Sequence, residues 1–149
     1  MPDHELKDLL APAVNNVLET MFFSETFGCS EPELAESALE ARVAFSGSRS
    51  GSVSVRISKA GARCLAASFL GESDNVLDDA RIAQVVCELA NMLCGSIVTR
   101  IESHGCFDLR APELLRDPAQ SEIGNAEYQQ SFSIEHGTLT VSLTSCGHA

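Results

Sequence analysis

Apolar residues that recur at intervals of three and four predict three amphipathic helices in this chain. The first covers residues 5–23 and contains Pro12, which marks either a kink or a later start of the helix. The second covers residues 59–70 and is followed by Gly71, a residue suited to ending a helix. The third and longest covers residues 78–104. Its regular apolar stripe must be buried against another layer of the protein.

Alternating apolar and polar residues predict a β-sheet. Residues 41–57 form one hairpin around the turn SGSRSG, and residues 128–143 form a second hairpin around EHGT. Residues 106–109 add a short strand, which ends at Ala111-Pro112, and residues 113–124 are predicted to be a loop. Helices interspersed with hairpins indicate an α+β fold, in which an antiparallel β-sheet is packed with helices.

The composition limits the kinds of ligand and the cellular setting. With 149 residues, the chain has the size that one hydrophobic core serves, so residues 1–149 are expected to form a single domain. The formal charge of −11 argues against nucleic-acid binding, which requires clustered lysine and arginine. The N-terminus does not resemble a signal peptide, and no stretch suggests a membrane span, so a cytoplasmic protein is expected. In that compartment the six cysteines are expected to be buried thiols: Cys29, Cys64, Cys87, Cys94, Cys106 and Cys146.

The polar side of the longest predicted helix carries the candidate chemistry. At 100° per residue, its core-facing stripe consists of Ile82, Val86, Leu89, Leu93 and Ile97. The opposite side consists of Gln84, Glu88, Asn91 and Gly95, with Cys87, Val98 and Glu102 at its edges. Glycine inside a helix costs about 1 kcal/mol relative to alanine, so Gly95 suggests the close approach of another backbone. Glu88 and Asn91 would be neighbours on one turn, although solvated helix faces often show such a pair too.

The segment CELANMLCG, from Cys87 to Gly95, resembles the signature of the CheC/CheX/FliY phosphatase family, and CheX most closely. In that signature, E-x-x-N on a helix is followed four residues later by glycine. The resemblance extends in order over roughly residues 5–145. Two details depart from the family pattern: Gln84 stands where Asp or Ser is usual, and Pro112 comes slightly early. Glu19 in the first helix is not followed by an asparagine three residues later, so one site per chain is expected, as in CheX.

The resemblance implies a protein phosphatase that acts on the phospho-aspartate of a CheY-like response regulator in chemotaxis or related two-component signalling. Asn91 would orient the attacking water and Glu88 would hold the receiver's active-site lysine, while Gln84 and Gly95 would lie on the partner-binding face. No cofactor of its own is implied, because the receiver brings its Mg²⁺. The resemblance also implies a homodimer that joins sheets, for which the last strand, LTVSLTS, is a plausible edge.

Three alternatives remain open from the sequence. The protein could be a non-catalytic module of the same fold that binds a response regulator. A metal site could use Cys146 and His148, with His136 or Cys106, although these residues lack the paired spacing of zinc sites, so no metal is expected. Cys87 and Cys94 could control docking through oxidation, although two small, semi-buried helix residues are the favoured explanation of this pair.

Overall fold

The computed structural model describes residues 8–22, 29–30, 38–73, 76–101, 105–115 and 126–145. Within these ranges the helices are α1 (Leu10–Met21), α2 (Lys59–Leu70) and α3 (Asp79–Ile101). The strands are β1 (Cys29–Ser30), β2 (Leu39–Gly47), β3 (Gly51–Ile57), β4 (Phe107–Leu109), β5 (Glu113–Leu115), β6 (Tyr128–Ile134) and β7 (Gly137–Ser145). The three predicted helices and the two predicted hairpins are therefore confirmed.

The described strands form one antiparallel sheet in the order β1-β6-β7-β3-β2-β4, and β5 also pairs with β2. Phe107–Leu109 lies opposite Phe45–Gly47, and Glu113–Leu115 lies opposite Glu40–Arg42, so β4 and β5 follow one another along the same side of β2. Pro112 lies between them and has no N–H to donate, which explains the interruption. The predicted α+β fold with an antiparallel sheet and helices is confirmed.

Two predictions about the strands are wrong. Residues 113–115 were expected in a loop but form β5, and residues 116–124 of that loop lie outside the described residues. The last strand was expected to be a free edge for dimerisation. It is β7, which is hydrogen-bonded to β3 on one side and to β6 on the other. Alternation determines which face of the sheet a side chain takes, but it does not determine which strands become neighbours.

The hydrophobic core lies between the helices and the sheet. α3 packs against β2 and β3 and contacts both α1 and α2, while α2 also contacts β7 and α1 contacts β6. The sheet contributes its alternating apolar residues to this core: Ala41, Val43, Phe45, Val53, Val55, Ile57, Phe132, Ile134, Leu139, Val141 and Leu143. α3 contributes Ile82, Val85, Val86, Leu89, Ala90, Leu93, Cys94, Ile97 and Val98. The predicted apolar stripe of α3 is thus buried.

The ends of the helices follow from capping chemistry. Pro12 lies in the first turn of α1, where its missing N–H costs nothing, so it marks a late start rather than a kink. The hydroxyl of Ser58 accepts a hydrogen bond from the backbone at the start of α2, and Gly71 ends that helix with φ 67°. The carboxylate of Asp78 accepts a hydrogen bond from the N–H of Arg81 at 2.8 Å, which caps α3.

Gly47 is expected to be a position where alanine destabilises the fold. Its φ is 134°, and an added Cβ would overlap the carbonyl oxygen of Cys106. Gly47→Ala should therefore lower the free energy of unfolding by about 2 kcal/mol in urea denaturation. Gly71→Ala is the matched control, because φ is also positive there but no described atom lies within 4 Å of the added Cβ. It should cost about 1 kcal/mol, and equal losses in the two variants would contradict the overlap at Gly47.

Candidate functional site

Contacts at the N-terminus of α3 hold this helix in place. Beyond the Asp78 cap, the guanidinium of Arg81 donates two hydrogen bonds to the carboxylate of Glu72, at 2.7 and 2.9 Å. This bidentate geometry fixes both the position and the orientation of the partners. Since Glu72 directly follows the end of α2, the pair ties the start of α3 to the preceding helix.

The four predicted site residues lie together on the side of α3 that faces away from the core. Gln84 and Glu88 are exposed, while Asn91 and Gly95 are half-buried. Glu88 and Asn91 are three residues apart and are therefore neighbours on the helix surface. Within the part of the chain that the structure describes, neither side chain has a hydrogen-bonding or ion-pairing partner. A carboxylate and an amide are thus both available to groups outside the chain.

Gly95 leaves open space on this face. The prediction that another backbone of the chain approaches it closely is wrong for the described residues. A Cβ added there would meet a single neighbour, the Cδ2 atom of Leu109, at 4.0 Å. Because a Cβ atom would fit, packing within the described chain does not account for the glycine. The glycine leaves the helix surface beside Asn91 without a projecting side chain.

Two residues expected beside this face belong to the core. Val98 is only 3% exposed, and the C-terminal part of α3 lies near β4, where Leu109 approaches Gly95. Cys94 is fully buried rather than semi-buried. Glu102 lies outside the described residues. The open part of the face therefore runs from Gln84 to Gly95.

The burial of Cys94 weakens the idea of redox control. Burial raises the pKa of the Cys94 thiol to about 12. The pKa of Cys87, which is half-buried, is also raised, mainly by burial and additionally by the charge of Glu88. Both thiols are therefore protonated at neutral pH, whereas the thiolate is the reactive form. Cys64, Cys87, Cys94 and Cys106 form no disulfide, although Cys106 is exposed rather than buried as expected.

A groove of about 480 Å³ adjoins the face at its N-terminal end. Gln84 and Glu88 belong both to the face and to the wall of this groove, whose remaining lining residues are Phe69, Leu70, Ala80, Arg81, Ala83, Val85 and Cys87. The sequence did not reveal the groove, because the groove depends on how α2 and α3 pack against each other. Phe69 stacks on Phe22, with ring centroids 4.8 Å apart, but it also lines the groove.

The residues considered for a metal site are not brought together. Cys146 and His148 lie outside the described residues. His136 lies in the turn between β6 and β7, whereas the backbone N–H of Cys106 contacts Ser48 in the turn between β2 and β3. The strand register places these two turns at opposite ends of the sheet. His136 and Cys106 therefore cannot share a metal ion.

By length and composition alone, α3 could cross a membrane, although no membrane span was expected from the sequence. It has 23 residues, and an 18-residue window has a mean hydropathy of 1.5. Half of that window is buried inside the protein. Packing against the sheet and the other helices therefore accounts for its apolar side, as in the core helix of a soluble protein.

Comparison with known proteins identifies the family. The model of the family described as "Chemotaxis phosphatase CheX" matches residues 39–136, which are 98 of the 149 residues. The chain belongs to the CheX chemotaxis phosphatase family. The matched span includes all four residues of the α3 face, so the signature lies within the region that defines the family. No curated protein sequence matches the chain.

Solved structures show the same fold at low sequence identity. CheX from Vibrio vulnificus is 22% identical, with a TM-score of 0.75, and the match covers 97% of this chain and 99% of that one. CheX in a CheX–CheY–BeF3–Mg²⁺ complex from Borrelia burgdorferi is 21% identical, with a TM-score of 0.69 and coverage of 93% and 96%. FliY from Thermotoga maritima is 15% identical, with a TM-score of 0.58 and coverage of 95% and 90%. The chain therefore has the fold of CheX proteins over nearly its whole length.

Proposed function

We propose that this protein dephosphorylates the phospho-aspartate of a CheY-like response regulator in chemotaxis or related two-component signalling. The observation that carries the proposal is the position of Glu88 and Asn91, which are neighbours on an open helix face and have no partners within the described chain. Membership of the CheX family and the solved complex of a homologue with CheY support the choice of partner.

In the proposed reaction, the face from Gln84 to Gly95 docks on the receiver. The amide of Asn91 donates to and accepts from one water and aligns it for in-line attack on phosphorus. The water oxygen forms the new bond to phosphorus, the bond from phosphorus to the aspartyl oxygen breaks, and the carboxylate of the receiver is regenerated with release of phosphate. Mg²⁺ bound to the receiver would neutralise the phosphoryl charge, so this chain needs no cofactor for the step.

Glu88 has a different proposed role, which is to hold the receiver's active-site lysine. A carboxylate that pairs with an ammonium group at an interface fixes the register of docking. Glu88 is exposed to solvent in the unbound protein, so its carboxylate has little desolvation cost there. Its contribution should therefore appear in the affinity for the receiver, whereas that of Asn91 should appear in the rate of the chemical step.

Glu88→Gln is expected to weaken docking by about tenfold, because it keeps the shape of the side chain but removes the charge. The test measures the decay of a phosphorylated receiver as a function of the concentration of this protein. The half-saturating concentration should rise while the maximal rate changes little. Glu19→Gln is the matched control, since Glu19 is exposed on α1. Identical curves for Glu88→Gln and wild type would contradict the proposed role of Glu88.

The same experiment distinguishes catalysis from the alternative of a module that only binds a response regulator. If wild-type protein binds the phosphorylated receiver but leaves its rate of decay unchanged, the proposed phosphatase activity is wrong and the binding module is correct. Faster decay in proportion to the bound fraction supports catalysis.

We also propose that the protein is a cytoplasmic homodimer. The absence of disulfides at Cys64, Cys87, Cys94 and Cys106 supports a reducing compartment. Resemblance to CheX proteins supports the dimer, but β7 lies inside the sheet and cannot serve as its edge. The two ends of the described strand order, β1 and the β4–β5 side, remain for sheet joining. Sedimentation that shows only monomer at micromolar concentration would contradict the dimer.

A further inference from the structure

A cluster of three chemically different donor groups lies where the turn between β6 and β7 meets α2. Glu135 and His136 form this turn, and Cys64 lies near the middle of α2. The thiol, the carboxylate and the imidazole each offer one ligand atom, and these atoms all lie within 4.8 Å of one another. Cys64 is half-buried, whereas Glu135 and His136 are exposed. The cluster is separate from the α3 face and plays no part in the proposed phosphatase reaction.

The backbone beneath this cluster is held by close contacts. The N–H of Ser58 donates to the carbonyl of Thr138 at 3.2 Å, and the hydroxyl of Ser58 accepts from the N–H of Thr138 at 3.4 Å. Gly137 approaches so closely that an added Cβ would overlap the Ser58 hydroxyl. Since Ser58 also caps α2, the turn is fixed on the helix that carries Cys64. Donor groups on backbones fixed in this way need little reorganisation to bind a ligand.

His136 occupies an unusual backbone conformation. Its φ is 68°, and it is the one non-glycine residue with a positive φ among the described residues. Glycine would adopt this conformation without cost, so a histidine here suggests that the side chain serves a purpose. His136 and Cys64 together line a concavity of about 380 Å³. The guanidinium of Arg63 also borders it, but donates to the carbonyl of Leu77 at 3.4 Å.

We propose that Cys64, Glu135 and His136 bind one Zn²⁺ ion, with the fourth coordination position open to water. Sulfur, nitrogen and oxygen ligands together suit zinc, while Mg²⁺ and Ca²⁺ prefer oxygen alone. A thiolate and a carboxylate would neutralise the charge of the ion. Zinc binding would release the thiol proton to solvent, because the metal binds the thiolate.

The distances in the cluster are compatible with this site after small side-chain rotations. Zinc bonds of 2.0–2.3 Å in a tetrahedral arrangement place the ligand atoms about 3.5 Å apart. The Nε2 atom of His136 and the Oε1 atom of Glu135 are 4.0 Å apart. Since all three ligand atoms lie within 4.8 Å of one another, no pair has to close by more than about 1.3 Å, and two of the three side chains are exposed and able to rotate.

Titration of the reduced, full-length protein with Co²⁺ tests the site directly. A cobalt ion bound to a thiolate gives a charge-transfer absorption band, and Zn²⁺ should remove this band by competition. One equivalent of metal per chain is expected. Cys64→Ala should abolish the band, and His136→Gly, which suits the backbone conformation at that position, should weaken binding by at least about tenfold. Cys106→Ser is the matched control, because Cys106 lies outside the cluster and should not affect the band.

Three results would overturn the proposal. The first is the absence of a thiolate band in wild-type protein, and the second is a band that survives in Cys64→Ala. The third is loss of the band on replacing Cys146 and His148 together while Cys64 is intact, which would assign the metal to the C-terminal residues. Circular dichroism of each variant verifies folding. Since the readout is absorption, the outcome does not depend on whether the phosphatase proposal is correct.

Discussion

Asn91→Ala is expected to slow the dephosphorylation of a bound receiver by about a hundredfold without lowering the stability of the protein. In the proposed reaction the amide positions the attacking water, and a misplaced reactant in a pre-organised site costs a factor of this size. Stability should not fall, because Asn91 has no hydrogen-bonding partner within the described chain and alanine favours a helix. The measurement is the decay of a phosphorylated receiver at saturating concentrations of the variant.

Asn16→Ala provides the matched control for this substitution. Asn16 is exposed on α1, so the same change is made on a helix surface outside the proposed face. It should leave the decay unchanged and, like Asn91→Ala, should not lower the stability. Receiver binding by Asn91→Ala should persist, because Glu88 and the open surface at Gly95 remain. Equal decay with wild type and Asn91→Ala would refute the proposed role of the amide, even if the protein proves to be a phosphatase.

The position of these residues on α3 could be predicted from the sequence, because the helical period converts residue number directly into direction around the axis. The period correctly predicted that Leu89 is buried and that Glu88 is exposed. It failed at Cys94 and Val98, since it gives the direction of a side chain but not how much of the helix its neighbours cover. α1, α2 and the sheet all pack against α3, and β4 approaches its C-terminal part. These contacts cover a wider arc than one apolar stripe indicates.

The order of the strands could not be predicted in this way. The pattern of LTVSLTS correctly indicated a strand with one buried face, but it carries no information about the partners on either side. Pairing with both β3 and β6 depends on residues far away in the chain. For the same reason the sequence pattern did not predict β5, which has only three residues and follows a proline. It also did not predict the cluster of Cys64 with Glu135 and His136, because only the pairing of β6 with β7 against α2 brings them together.

The groove beside Glu88 extends the surface that a receiver would meet. The proposed face ends at the groove on its N-terminal side and near β4 on its C-terminal side. A partner that places a lysine against Glu88 therefore comes close to the wall formed by Phe69 and Leu70 at the end of α2. The carboxylate, the amide and the adjoining apolar wall thus lie on rigid elements, which suits a reaction that depends on positioning.

Gly95→Leu should separate docking from folding. Because an added Cβ at Gly95 would meet no described atom closer than 4.0 Å and the face points away from the core, leucine should be accommodated, and the higher helix propensity should raise the free energy of unfolding by up to about 1 kcal/mol. The same side chain would project from the surface that is proposed to approach the receiver. Phosphatase activity should therefore fall by about a hundredfold, since a misplaced docking interface also misplaces the amide of Asn91. Thermal unfolding and phospho-receiver decay measure the two effects independently.

Arg100→Leu is the appropriate control for this variant, because Arg100 is exposed on α3 but lies about 140° around the helix from Gly95. It adds a leucine to the same helix and should retain activity. If Gly95→Leu is stable and fully active, the surface beside Asn91 is not where the receiver docks. If it is instead strongly destabilised, the glycine serves packing within the chain. Only a stable variant with impaired activity agrees with a glycine that keeps the helix surface clear for a partner.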